Sequence, residues 1–103
     1  MGQFALTEAV YYILLSLQSP LHGYGIIQNV EALSHGRVKL AAGTLYGAIN
    51  TLLEKKWIEA LSENPESRKK EYVITKEGTA VLEEELARLD ELVANGRRIL
   101  DKK

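Results

Sequence analysis

The segment AGTLYGAINTLLEKKWIEAL, residues 42–61, decides how this chain folds. Its first part places Leu45, Ile49, Leu52 and Leu53 at helical spacing, which predicts a helix beginning near Ala42 with one buried apolar face. At about 100° per residue, Thr44, Gly47, Asn50, Thr51 and Glu54 project on the opposite side, with Tyr46 on the flank. That outer face is small and rich in hydrogen-bonding groups, so another surface can approach it closely. The second part changes character. After Lys55 and Lys56, the run Trp57 to Ser62 opens with β-forming residues and predicts a strand.

Downstream, Asn64-Pro65 is a turn signal, and Arg68 to Ile74 reads as a second strand. Two short strands around a polar loop make a hairpin. Its tip and second arm carry three consecutive basic residues, Arg68, Lys69 and Lys70. Thr75 is then a good N-cap for a last helix, with Glu77 favourably placed against the helix dipole. Along that helix Leu82, Leu86, Leu89, Val93 and Leu100 form a seam of coiled-coil type, with Gly96 at the intervening position.

Upstream, Leu6, Val10, Ile13, Leu14 and Leu17 follow a helical period, and Ser19-Pro20 ends it, because the residue before a proline is pushed out of the α region. A second, short helix carries Ile26, Ile27, Val30 and Leu33, with Gly23 at its start. Ser34 to Leu40 has no helical period and reads as a connection.

The order helix, helix, helix, β-hairpin, long helix predicts a mainly α fold with a small β-hairpin: a winged helix-turn-helix with an appended C-terminal helix. The expected division is residues 1–75 as the DNA-binding part and 76–103 as a dimerisation helix, within one continuous folded unit. Groove geometry gives the mechanism. A helix fits the major groove of B-DNA, where base edges are distinct, and basic residues on a hairpin reach the phosphates beside it. Helix 3 is the candidate for base reading and the hairpin is the wing.

Charge distribution agrees with that division although the chain carries a net charge of only −1. Residues 1–36 hold Glu8 and Glu31 and no Lys or Arg. Residues 37–76 carry eight basic against five acidic residues, and 77–103 five basic against seven acidic. A local excess of +3 in the middle of the chain can meet a polyanion on one face.

Other classes are disfavoured. There are no cysteines, hence no disulfides, thiolate metal sites or thiol nucleophiles. Ala9 to Leu15 is the longest apolar stretch, too short to span a bilayer, and the start Met-Gly-Gln-Phe lacks a basic signal-peptide region. A cytoplasmic protein is expected. No catalytic constellation, metal cluster or phosphate-cradling loop has plausible spacing, so no enzyme, cofactor or metal is expected, and His22 and His35 read as structural.

Three stretches, LHGYGIIQNV at 21–30, AGTLYGAINTLLEKKWIEAL at 42–61 and RKKEYVITKEG at 68–78, give the chain its resemblance to the PadR family of transcriptional regulators. The Gly-Thr-Leu-Tyr start of helix 3 and the Tyr-x-x-Thr-x-x-Gly exit from the wing are fairly specific together. The resemblance covers nearly the whole chain and is closest to the short-tailed branch. It implies a homodimer that represses genes from a palindromic operator, built largely by packing the C-terminal helix on helix 1 of the partner. It implies DNA contacts by Thr44, Tyr46, Gly47 and Asn50 on helix 3 and by Arg68, Lys69 and Lys70 on the wing. Tyr12 joins Leu82, Leu86, Leu89, Val93 and Leu100 as the expected dimer interface, with Tyr11 and Phe4 nearby. Relatives often have proline where Gly47 stands and a basic residue near Asn50 or Thr51, so base preference differs here. They also commonly answer to a small-molecule effector, whose identity this sequence leaves open. Some hold planar drugs between aromatics of the C-terminal helix; this chain has none there. The alternative is a winged-helix protein-interaction module, whose helix 3 face meets a protein.

Overall fold

The computed structural model describes residues 5–61 and 70–102. Thr7 caps the first helix, α1 (Glu8–Ser16), by accepting the Val10 N–H at 3.1 Å, and Glu8 occupies the first turn. After Pro20 the chain forms a two-residue strand, β1 (Leu21–His22), and turns directly into α2 (Gly23–Leu33). His22 is the cap there, its Nδ1 accepting the Gly25 N–H at 3.1 Å. Helix α3 (Ala42–Glu54) follows, then β2 (Ile58–Ala60), β3 (Glu71–Ile74) and the long α4 (Lys76–Leu100).

The three strands form one antiparallel sheet in the order β1-β3-β2. Leu21 faces Tyr72, Ile58 faces Ile74, and the Leu61 N–H to Glu71 carbonyl bond at 2.9 Å extends the hairpin ladder. The predicted hairpin is present with shorter strands, and β1 is an addition to it. Two residues are too few to show a period of two, so β1 exists only through its pairing with β3.

The core gathers Ile13, Leu14 and Leu17 of α1, Ile26 and Val30 of α2, and Leu45, Ile49 and Leu52 of α3, closed by Ile58, Tyr72 and Leu82. Asn29 Nδ2 donates to the Ser16 hydroxyl at 2.9 Å, tying α2 to α1. Helix α4 contributes little to this core. Leu82 and Glu85 are buried, but every described residue from Asp90 onward is exposed, which gives the molecule its 61 Å long axis.

The exit from the sheet explains the Tyr72, Thr75, Gly78 pattern. Tyr72 packs in the core. The Thr75 hydroxyl accepts the Gly78 N–H at 3.0 Å and donates to the Lys56 carbonyl at 2.7 Å, while the Thr75 N–H donates to the Trp57 carbonyl at 3.0 Å. At Gly78 a Cβ would collide with the Trp57 carbonyl and lie 2.7 Å from Ile74 Cγ1, so only glycine permits this approach. One turn of α4 is thereby riveted to the segment that starts the wing.

Candidate nucleic-acid interface

Helix α3 buries Leu45, Ile49 and Leu52 and leaves Thr44, Gly47, Asn50, Thr51 and Glu54 exposed, as their spacing requires. Its start differs from that of the other helices. Ala41 makes no side-chain cap and the first turn holds no acidic residue, so the backbone N–H groups and positive dipole end are available to an anion. Gly43 and Gly47 have open space where a Cβ would be, so nothing inside the described chain requires glycine at either position. Gly47, inside the helix, lowers its stability by about 1 kcal/mol relative to alanine, and Gly43, in the first turn, by less. The result is a helix face without side-chain bulk, flanked by the hydrogen-bonding side chains of Thr44 and Asn50.

Tyr46 is 45% exposed, on the flank of this face, and its ring reaches back to Gly23 at the start of α2. Tyr24, next to Gly23, is the most exposed of the large hydrophobic residues among the described residues, at 64%. Sequence reasoning passed over Tyr24, because α2 positions it by geometry and no period marks it. Lys70 is exposed beside β3. Arg68 and Lys69, expected on the wing, lie outside the described residues, as does Phe4.

The remaining cations of the basic segment divide. Arg37 forms an ion pair with Glu8, which raises the Arg37 pKa and holds the Glu8 carboxyl below its usual range. Lys55 Nζ lies 5.1 Å from the centre of the Trp57 ring, a cation–π contact. Lys39, Lys56 and Lys76 are exposed.

A second surface lies where α1 meets α4. Of the residues expected at a dimer interface, Leu86, Val93 and Leu100 are at least half exposed, Leu89 and Tyr12 are half-buried, and Leu82 belongs to the core of its own chain. Leu92 and Ile99 add to the apolar exposure at 53% and 58%. Tyr11 and Tyr12 stack edge to face with ring centres 6.1 Å apart. Beside them is a cavity of about 300 Å³ whose lining includes Leu6, Tyr12, Glu85 and Arg88.

Glu85 is the residue that sequence reading missed most completely. Within the run Glu83-Glu84-Glu85 it reads as one of three solvated acids, yet it is only 2% exposed. Arg88 donates to both of its oxygens, at 2.8 and 2.7 Å, and the Leu6 N–H donates to Oε2 at 3.2 Å. The guanidinium, then the backbone N–H, hold the Glu85 carboxyl below the usual range against the opposing effect of burial. His22 serves as the α2 cap, and the described residues contain no cluster of three or more His, Asp or Glu able to hold a metal.

Three helices, with the third presenting a bare polar face, and an antiparallel sheet whose hairpin follows that helix define a winged helix-turn-helix protein. Residues 12–84 match the transcriptional regulator PadR-like family, and the chain belongs to it. This is a family of transcriptional regulators and not of enzymes. No curated protein matches the chain. Among solved structures, a PadR family transcriptional regulator from Eggerthella lenta DSM 2243 is 26% identical with a TM-score of 0.73, over 91% of this chain and 82% of that one. A PadR family transcription regulator from Clostridium difficile R20291 shares the fold at 22% identity and TM-score 0.76, over 91% and 99% of the two chains. BpsR of Bordetella bronchiseptica, whose DNA binding is regulated by 6-hydroxynicotinic acid, is similar in fold at 20% identity and TM-score 0.70, over 94% and 69%.

Proposed function

We propose that this protein is a cytoplasmic, sequence-specific repressor that binds a palindromic operator as a homodimer, with α3 in the major groove and the wing on the backbone. The observation that carries this reading is the pair Gly43 and Gly47: two helix-weakening glycines that no packing within the chain requires, on the face a groove would receive. Thr44, Gly47 and Asn50 are the helix residues assigned to base contact, Tyr46 the residue on their flank, and Arg68, Lys69 and Lys70 those of the wing. Residues 1–75 form the DNA-binding part and 76–103 the dimerisation helix.

The dimer reading is supported by the apolar stripe of α4, whose Leu86, Leu92, Val93, Ile99 and Leu100 would leave water against a second copy. Charge supports it as well. Acids Glu83, Glu84, Asp90 and Glu91 precede Arg97, Arg98 and Lys102, an arrangement that suits antiparallel pairing of two such helices. The cavity between α1 and α4 is the place where a small-molecule effector would act on that interface.

The test is a gel shift and salt titration on the region upstream of the protein's own gene. With roughly six phosphate contacts, log affinity against log salt has a slope of about −5. Changing Lys69 and Lys70 together to alanine weakens binding to all sequences alike and shallows that slope. An unchanged shift after both changes would sink the assignment. A stable complex with another protein, and no salt-sensitive DNA binding, would instead identify an interaction module.

A further inference from the structure

We propose that Gly23 and Tyr46 form a socket and strut that fix the angle of α3 against α2, so that Tyr46 is a positioning residue for base reading. The inference rests on the DNA-reading function proposed above. Gly23 is buried, and a Cβ there would collide with the Tyr46 hydroxyl and lie 2.8 Å from its Cζ. The end of the Tyr46 ring is therefore seated on the bare backbone of Gly23. No other glycine in α2 or α3 is constrained by a side chain from a different helix: Gly25 touches Leu21 and His22, and Gly43 and Gly47 touch nothing.

The geometry explains why this contact holds an angle. Ile26 and Val30 of α2 and Leu45 and Ile49 of α3 already lie in the same buried core cluster. That packing sets the crossing angle of the two helices at the core. A second contact at the start of α2, between Tyr46 and Gly23, stiffens that angle against small tilts of α3. The seat itself is anchored. His22 caps α2 through its bond from the Gly25 N–H, and Leu21 and His22 pair with Tyr72 and Glu71 of the wing strand. Through Tyr46, the recognition helix is thus referenced to the same point as the wing, and Thr44 and Asn50 inherit their placement from it.

The experiment uses the full chain, a duplex consensus that the wild type selects from a random pool, and a scrambled duplex of equal length. Gly23→Ala pushes the ring off its seat. Affinity for the consensus is expected to fall by roughly tenfold or more while affinity for the scrambled duplex changes by less than about twofold, because base contacts need alignment and phosphate contacts do not. Tyr46→Phe keeps the ring and is expected to hold the consensus-to-scrambled ratio within about threefold, whereas Tyr46→Ala loses it. Adding Gly23→Ala to Tyr46→Ala is expected to change nothing further, since the methyl group then has no ring to strike.

An unchanged ratio in Gly23→Ala overturns the inference, as does a collapsed ratio in Tyr46→Phe, which would make the hydroxyl itself the reading group. Additive effects in the double variant overturn it too. Should Gly23→Ala fail to fold, the double variant decides: it must fold and match Tyr46→Ala, and failure to do so overturns the socket. A wild type that selects no consensus overturns the DNA-reading function and the strut with it. A wild type that selects one, beside a Gly23→Ala variant of unchanged ratio, overturns the strut alone.

Discussion

On α3 the residues left outside the core include Thr44, Gly47, Asn50 and Thr51, whereas on α4 they include Leu86, Leu92, Val93, Ile99 and Leu100. Both faces are open, and their chemistry calls for opposite partners. Water satisfies the α3 face well, so a partner there must offer something water does not: a surface close enough to use the missing side-chain bulk and shaped hydrogen-bonding edges. Water satisfies the α4 stripe poorly, and burying one such side chain fully is favourable by about 1.5–3 kcal/mol. Exposure alone therefore identifies no function. The side chains that are exposed, and those that glycine has removed, do.

The contrast breaks most visibly on α4. Replacing Leu86 and Val93 together by aspartate would place four carboxylates in the proposed symmetric dimer interface and is expected to raise the dissociation constant by about a thousandfold or more. Analytical ultracentrifugation at micromolar concentration should then find monomer, with helical content retained. A dimer that survives both changes would separate the stripe from self-association.

On α3 the expected effects are smaller and concern preference more than existence. Asn50→Ala is expected to change discrimination at one operator position by about 1–3 kcal/mol, read by competition among single-base operator variants. Gly43→Ala and Gly47→Ala sharpen the comparison further, because each has open space for a methyl group. Each is expected to stabilise the chain by up to about 1 kcal/mol in thermal melts while weakening operator binding. Glycine variants that gain stability and keep full affinity would show that the bare face has no partner at close range.

The smallest effect lies where the buried part of α4 gives way to the exposed part, at Glu85. Its carboxyl is held below the ordinary glutamate value of 4.5, first by Arg88. A group depressed on folding contributes stability above its unfolded value and loses it as pH falls through the folded value. Wild type is therefore expected to melt above Glu85→Gln at neutral pH, and the two curves to converge as pH falls below about 4.5. Parallel melting temperatures down to about pH 3 would remove the ion pair from the account of how α1 is held to α4.

Much of this was legible in the sequence because it is local. The period of α3 identified its buried Leu45, Ile49 and Leu52 and its exposed residues, although Leu53, expected on the buried face, is only half-buried, and Thr75 and Glu77 marked the start of α4. What escaped is non-local. Strand β1 has no pattern of its own and depends on β3 forty-nine residues later, from His22 to the facing Glu71. Glu85 looks like its neighbours until the Leu6 N–H, seventy-nine residues away, is brought beside it. Leu82 shares the spacing of the α4 seam, yet the body of the domain reaches just far enough along the helix to bury it. His22 is an unusual cap, since Ser, Thr, Asn and Asp lead at such positions. For the site, the helix face could be read from the sequence, while the seating of Tyr46 on Gly23 required two segments to be folded together.

The rivet at Thr75 and Gly78 has a mechanical consequence. Strand β3 passes into α4 with no slack between them, since Thr75 closes the sheet segment and opens the helix in one residue. Such a connection turns α4 into a lever arm rather than a tether. A 25-residue helix is about 37 Å long, so a tilt of about 10° at one end carries the other by roughly 6 Å, nearly two base-pair rises of DNA. In a pair of these chains gripping each other by α4, the crossing angle of the helices would be converted directly into the distance between two recognition helices. A wedge at that crossing would act as a gear, retuning the half-site spacing the pair can span without touching a single DNA-facing side chain.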